Sequence, residues 1–203
     1  MSSDLNIAIL IPAAGASKRL GSPKQLLKWG DSTLMGHVIK NVKQLDAQQV
    51  LMVLGAHYDK IVKEVSTADV EIIQNKNWEQ GLGSSIAAGA KFLLDSKSNV
   101  DAVLIVLVDQ PFISTAYLAA MIADFNAEEG RIITTSYGND TYGVPALFDK
   151  RYLVQLAKLR DDNGAKMLIK QNLDRVSAVA MTPILTDIDT KKDYNTFRET
   201  NHQ

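Results

Sequence analysis

Ile7-Ala-Ile-Leu-Ile-Pro-Ala-Ala-Gly-Ala-Ser-Lys-Arg19 passes from an unbroken apolar run into a loop of small residues, and the fold is read from that passage. A run without alternation is a strand buried on both faces, the mark of a parallel sheet covered by helices. Val50-Leu-Met-Val-Leu54 and Ala102-Val-Leu-Ile-Val-Leu-Val108 repeat the pattern. Between the runs lie helical spacings: Leu34, Val38, Val42 and Leu45, then Tyr117, Leu118, Met121, Ile122 and Phe125. Strand, helix and strand in repeating order predict a doubly wound α/β layer, with a mostly parallel twisted sheet and helices on both faces.

Further strands are expected at Val70–Gln74, Arg131–Ser136, Val144–Phe148 and Arg175–Met181, with a polar turn over Tyr137–Tyr142. Helices are expected at Ser84–Asp95, Lys150–Leu159, Asn163–Asn172 and Asp193–Glu199. No linker or repeat divides the chain, so residues 1–203 are expected to form one domain with its core at about 5–199. A length of 203 residues supports a core without staples. A net charge of −1 excludes an overall field that would hold nucleic acid or an anionic membrane, so any polyanion must be met locally. The absence of cysteine excludes disulfides, thiolate metal sites and thiol nucleophiles. It is compatible with a reducing cytosol, and a cytoplasmic placement is expected. No apolar run approaches the ~20 residues that span a bilayer.

Open α/β sheets bind ligands at the carboxyl edge of the strands, so the loop after the first strand is the first candidate site. No acidic residue occurs between Asp4 and Asp31, whereas Lys18, Arg19, Lys24 and Lys28 gather there. Ala13, Ala14, Gly15, Ala16 and Ser17 are small enough to let the backbone approach a ligand and turn its N–H groups toward phosphate oxygens. Arg19 offers a planar fork and Lys24 a point charge to the same polyphosphate. No Gly-Lys-Ser/Thr follows the glycines and no Gly-x-Gly-x-x-Gly occurs here, so neither large nucleotide-loop class applies. The structural alternative is a pair of turn glycines, Gly15 and Gly21, rimmed by solvated cations.

Ala13-Ala-Gly-Ala-Ser-Lys-Arg19, Gly21 and Lys24-Gln-Leu-Leu27 resemble the signature of nucleotidyltransferases with a glycosyltransferase-A-like Rossmann fold, in particular the molybdenum-cofactor nucleotidyltransferases. The resemblance runs from Ile7 to about Tyr194. It implies that the loop wraps the triphosphate of a nucleoside triphosphate, with Arg19 and Lys24 neutralising the departing pyrophosphate. The guanylyl branch tends to carry Ala-Gly-Gly, so Ala13-Ala14-Gly15 leans toward cytosine, and CTP is favoured over GTP.

Asp109 follows the third apolar run in Val108-Asp-Gln-Pro111 and should project beside the first loop. As structure alone it is a cap before a proline turn. Thr186-Asp-Ile-Asp-Thr190 supplies Asp187 and Asp189, and Thr190 with Asp193 also reads as a capping box. Converging carboxylates beside a triphosphate suit Mg²⁺, a hard ion that keeps waters and bridges to substrate phosphates; Mn²⁺ suits the same ligands. The resemblance selects Asp189, the aspartate before Thr190, as the second metal ligand with Asp109. It usually has Gly where this chain has Val108.

Asn75-Lys-Asn-Trp-Glu-Gln-Gly-Leu-Gly-Ser-Ser-Ile86 leads into a helix for which Ser84 is an expected N-cap. The segment is similar to the family stretch bordering base and acceptor, which implies nucleotide contacts for Asn75, Gly83, Ser84 and Ser85. Tyr142-Gly-Val-Pro-Ala-Leu-Phe148 resembles the family's Gly-His-Pro-x-Leu-Phe, with Val144 in place of histidine. Arg160-Asp-Asp-Asn-Gly-Ala-Lys166 resembles Gly-Asp-x-Gly-Ala-Arg, with Asp161 for Gly and Lys166 for Arg. His37 falls in an expected helix, and His57 and His202 have no spaced metal partners. The implied activity is Mg²⁺-dependent transfer of CMP, less readily GMP, from the nucleoside triphosphate to the phosphate of a molybdopterin-type cofactor, with transient contact to a molybdoenzyme. Two other readings stay open: a sugar or polyol phosphate acceptor, and a non-catalytic module that carries cofactor or nucleotide.

Overall fold

In the computed structural model, residues 5–65, 70–127, 129–180 and 187–200 are described, with side chains through 198. The strands are β1 (Ile7–Pro12), β2 (Lys28–Trp29), β3 (Ser32–Thr33), β4 (Gln49–Leu54), β5 (Glu71–Gln74), β6 (Ala102–Ile105), β7 (Ile132–Ser136), β8 (Tyr142–Asp149) and β9 (Val176–Ala180). The helices are α1 (Leu34–Val42), α2 (Tyr58–Glu64), α3 (Leu82–Asp95), α4 (Thr115–Ala123), α5 (Leu153–Leu156), α6 (Lys166–Lys170) and α7 (Lys191–Thr200).

The main sheet runs β5-β4-β1-β6-β8-β7-β9, and β2 pairs with β3 in a separate small hairpin. β1 lies parallel between β4 and β6, and β4 is parallel to β5. β8 runs against both β6 and β7, while β7 and β9 are parallel. The sheet is therefore mostly parallel, with one reversed strand.

All six residues of β1 are buried, and alternation sends them to opposite sides. Ile7, Ile9 and Ile11 enter one core with Leu34, Val38, Leu118 and Met121; Ala8 and Leu10 enter the other with Ile86, Leu93 and Leu156. The uninterrupted apolar run is thus two half-cores read along one strand. Tight contact on the second side requires a glycine, because a Cβ on Gly89 of α3 would stand 2.2 Å from Leu10 Cδ1.

Several expected boundaries shift. The third apolar run leaves the sheet after Ile105, and Val106 and Val108, both buried, with the half-buried Leu107 between them, connect it to Asp109. The helix expected at Lys150–Leu159 is a 3₁₀ turn, Lys150–Tyr152, followed by the short α5, and the one at Asn163–Asn172 narrows to α6. α2 and the β2–β3 hairpin have no counterpart among the sequence expectations. Met181, Thr186 and His202 lie outside the described residues.

Candidate active site

The chain goes from β1 to β4 and β5 on one side, then returns to β6 on the other. The carboxyl ends of β1 and β6 are thus adjacent where the winding reverses, the place in open α/β sheets where ligands sit. The loop leaving β1 is tied down by its carbonyls. Ala14 O accepts from Ala56 N–H at 2.9 Å, and Ala13 N–H donates to Val53 O at 2.8 Å. The buried amide of Gln25 donates to Ala13 O at 2.6 Å and to Gly15 O at 3.3 Å. Ser17, at φ +53, closes the turn: its carbonyl accepts from Leu20 and Gly21 N–H, and its hydroxyl accepts from Lys24 N–H at 3.0 Å. Among the described residues, none of the backbone N–H groups from Ala14 to Arg19 donates to another group of the protein. Carbonyls held and N–H groups left over make an anion-binding concavity.

Opposite the loop stand the two carboxylates. Lys24 Nζ lies 2.7 Å from Asp109 Oδ2 and 3.0 Å from Asp189 Oδ1, and Arg19 Nη2 lies 2.9 Å from Asp189 Oδ2. Asp109 is positioned by its turn: His37 Nε2 is 2.9 Å from Pro111 O, and Asn41 Nδ2 donates to Ile113 O at 3.2 Å. His37 is therefore a structural tie. Asp189 is brought across by one backbone bond, Ile188 N–H to Asp109 O at 2.9 Å. Ile188 is wholly buried, so period-two alternation turns Asp187 and Asp189 together toward the cleft. The reciprocal box at the head of α7 fixes the segment: Asp193 accepts from Thr190 N–H at 2.8 Å and Asp189 N–H at 3.2 Å, while Thr190 Oγ1 accepts from Asp193 N–H at 3.2 Å.

Burial pushes the Asp189 carboxyl up, but the Lys24 ammonium and the Arg19 guanidinium outweigh it and hold the group below the usual carboxylate range. Burial likewise lowers Lys24, and Asp109 with Asp189 more than restores it, so the ammonium stays charged. Asp187 goes the other way, raised first by burial and then by the charge of Asp109. Gln110 Nε2 donates to Asp187 Oδ1 at 3.0 Å and to Tyr137 OH at 3.0 Å, and Tyr137 OH donates to Val144 O. Burial pushes the Tyr137 phenol up to about 12, so it remains a neutral donor.

These groups line one cleft of about 930 Å³, at the upper end of what ligand pockets span. Ala13 to Ser17, Arg19, Lys24, Ser85, Asp109 and Asp189 all contribute to its wall, as do Val144 and Lys166. Asp161, which stands where the family pattern has glycine, has φ +70 and caps its own turn by accepting from Asn163 N–H at 2.7 Å.

Three expected nucleotide contacts stand apart from this wall. Asn75 is buried and donates to the hydroxyls of Ser84 at 2.9 Å and Ser85 at 3.1 Å. The Ser84 hydroxyl donates back to Gly81 O at 2.8 Å, so α3 opens at Leu82 with Gly81 as cap and Ser84 is not the N-cap. Gly83 is a packing position: its N–H donates to Asp161 O at 2.8 Å, and a Cβ there would meet Arg160 O at 2.6 Å. Gln25 and Gln110, which tie the loop carbonyls and the Asp187 carboxylate, carry no mark of those roles in the sequence, whereas Asp187 is one of the two carboxylates that the segment before Thr190 offers.

Among the described residues no three His, Asp or Glu side chains form a closed metal cage. Asp109 and Asp189 nevertheless converge on one ammonium, and Asp109 Oδ1 is buried without a partner among the described residues. Two fixed carboxylates with a spare oxygen fit a Mg²⁺-type ion, which takes few protein ligands and completes its shell from water and phosphate.

A family model described as the MobA-like NTP transferase domain matches residues 9–176. The chain belongs to that family. It is 29% identical over 189 residues to nicotine blue oxidoreductase of Paenarthrobacter nicotinovorans, covering 88% of this chain and 89% of that protein. It is 27% identical over 168 residues to the bifunctional protein GlmU of Pseudomonas putida, covering 82% of this chain but 36% of GlmU. Among solved structures, the homologue of Rv0371c from Mycobacterium sp. strain JC1 superposes with a TM-score of 0.84 at 26% identity, covering 97% of this chain and 96% of that one. Rv0371c of Mycobacterium tuberculosis in complex with manganese shares the fold, with a TM-score of 0.80 at 23% identity, 96% of this chain and 99% of that one. This MobA-like domain is thus of the nucleotidyltransferase type, and no helix of its described residues is long and apolar enough to cross a membrane.

Proposed function

We propose that the protein transfers CMP from CTP to the phosphate of a molybdopterin-type cofactor, with GTP the weaker donor and pyrophosphate the second product. The observation that carries this reading is Lys24, whose ammonium faces two carboxylates beside a loop with unused N–H groups. A nucleotidyl transfer needs such bracketing, since charge shifts onto the leaving oxygen as the α-phosphorus is displaced.

In the proposed reaction an acceptor phosphate oxygen forms the new bond to the α-phosphorus in line with the bond that breaks, the one to the β-phosphate oxygen. The nucleophile is already ionised, so no side chain has to take up a proton. The Ala14–Arg19 loop binds the triphosphate by its N–H groups, and Lys24 and Arg19 take the charge of the departing pyrophosphate. Asp109 and Asp189 would hold Mg²⁺, or Mn²⁺ in its place. When bound, that ion supplies Lewis-acid stabilisation to phosphate oxygens. Until such an ion takes them, Asp109 and Asp189 pair with Lys24 and hold it in the cleft. Tyr137, Val144 and Lys166 offer the acceptor wall, and delivery of the product to a molybdoenzyme belongs to the same proposal.

A sugar or polyol phosphate is the second acceptor reading, favoured by Val144 where the family pattern has histidine. The carrier reading leaves the opposed cations and carboxylates without work, and so does an oxidoreductase reading taken from the name of the Paenarthrobacter relative. A pyrophosphate-release screen of four nucleoside triphosphates against reduced molybdopterin and common sugar phosphates decides among them. Release with CTP and molybdopterin is expected. Lys24→Ala or Asp109→Asn should cost at least ~100-fold in that rate, the scale of one preorganised charge-stabilising group. Binding of CTP without release in any pairing favours the carrier.

A further inference from the structure

Lys24 makes more contacts with carboxylates than a phosphate-binding lysine requires. Of the four oxygens of Asp109 and Asp189, two touch its ammonium and a third touches the Arg19 guanidinium, which leaves Asp109 Oδ1 alone unpartnered. The side chains of Lys24 and Asp109 are only 18% and 20% exposed, so water and salt screen this pair weakly. The ammonium stands on one oxygen of each carboxylate, so a divalent ion that took both would face a like charge beside it. The carboxylates are the fixed partners. Asp109 is pinned through Ile188 N–H on its carbonyl, and Asp189 through the capping box of α7. Lys24 is the movable one, a point charge on a flexible four-carbon stem.

We propose that Lys24 is the resident counter-ion of the metal site, and that the free protein admits a divalent ion only together with a nucleoside triphosphate, whose oxygens draw Lys24 and Arg19 off the carboxylates. The substrate is then the metal–nucleotide complex, not nucleotide added to a metal-loaded protein. This rests on the reading of Asp109 and Asp189 as metal ligands. It adds that one lysine serves both states, neutralising carboxylates before binding and phosphates after it. Arg19, 70% exposed, is the outer half of the same clasp.

The test is Mn²⁺ titration of the intact protein, read by the free-ion paramagnetic resonance signal, with and without a CTP analogue carrying a non-hydrolysable α,β bridge. Without nucleotide, Lys24→Met should bind Mn²⁺ at least ~10-fold more tightly than wild type, since a neighbouring like charge is gone. Lys24→Arg should stay at the wild-type value. Arg19→Gln, whose exposed side chain the fold does not need, should tighten Mn²⁺ binding by roughly 3-fold through the more screened charge. The Arg19 variant decides the matter if Lys24→Met does not fold. Equal affinity of folded Lys24→Met and wild type for Mn²⁺ in the absence of nucleotide would overturn the proposal, as would a lack of tightening in Arg19→Gln where that variant decides. If wild type takes up Mn²⁺ with the analogue while neither variant gains without it, only this inference fails. If no form binds Mn²⁺ under either condition, the reading of the two aspartates as metal ligands fails with it.

Discussion

Gly15 stands in open space: a Cβ placed on it would meet nothing among the described residues within 4 Å, and its backbone needs no left-handed angle. On the proposed reading its smallness serves the triphosphate, which the unused N–H groups around it would hold. Gly15→Ala should leave the melting temperature unchanged and raise the KM for CTP roughly tenfold or more, the effect of one methyl group in a fitted pocket. A KM at the wild-type value would take the loop away from the triphosphate. Asp189 makes the opposite kind of prediction, since the fold itself feels its charge. Its carboxyl is held below the ordinary range, so its contribution to stability is present above the unfolded value near ~3.9 and is lost as pH falls through the lower folded value. Asp189→Asn should accordingly flatten the acid limb of a melting-temperature profile below about pH 4. A profile parallel to wild type would show that the pairing adds nothing to stability. At this scale Arg19, Lys24, Asp109 and Asp189 were legible as candidates. Gln25 was not, because a buried glutamine that ties two carbonyls looks in sequence like any polar loop residue.

The helix α3 shows where reading by elements succeeds and where it slips. Its existence and C-terminus follow from spacing, but the sequence offers Ser84 as cap while the helix begins at Leu82. The reason is tertiary: Asn75 reaches across from the end of β5 and engages both serine hydroxyls, so Gly81, at φ +89, turns the chain instead. The following turn at Arg160–Asp161 then packs backbone to backbone against Gly83. Gly83→Ala should cost about 1–3 kcal/mol by overpacking. Thermal denaturation checks this, with a melting temperature lower by several degrees expected for a domain of this size. An unchanged melting temperature would mean that the turn yields freely. The short α5 and α6 are hidden in a different way: apolar residues at helical spacing continue past their ends, while in the structure α5 stops against α3 and α6 against β8.

At the scale of the molecule, the site is assembled from residues 85 and 165 positions apart in sequence. Sequence supplied the buried strands, because two-sided burial forbids alternation, and it named the residues at their carboxyl ends. It did not show that they meet. That depends on β1 and β6 being neighbours at the reversal of the sheet, and on one hydrogen bond between Ile188 and Asp109. The reversed β8 was equally hidden, since a strand buried on both faces reads the same in either direction. The central claim is that the cleft brackets the α-phosphate between first-loop cations and a divalent ion on the two aspartates. The most direct measurement is a crystal structure with Mn²⁺ and the non-hydrolysable CTP analogue, using the anomalous signal of manganese. A manganese peak bound by Asp109 and Asp189 is expected, with Lys24 moved onto the phosphates. Nucleotide seated in the cleft with manganese elsewhere, and Lys24 still on both carboxylates, would contradict it.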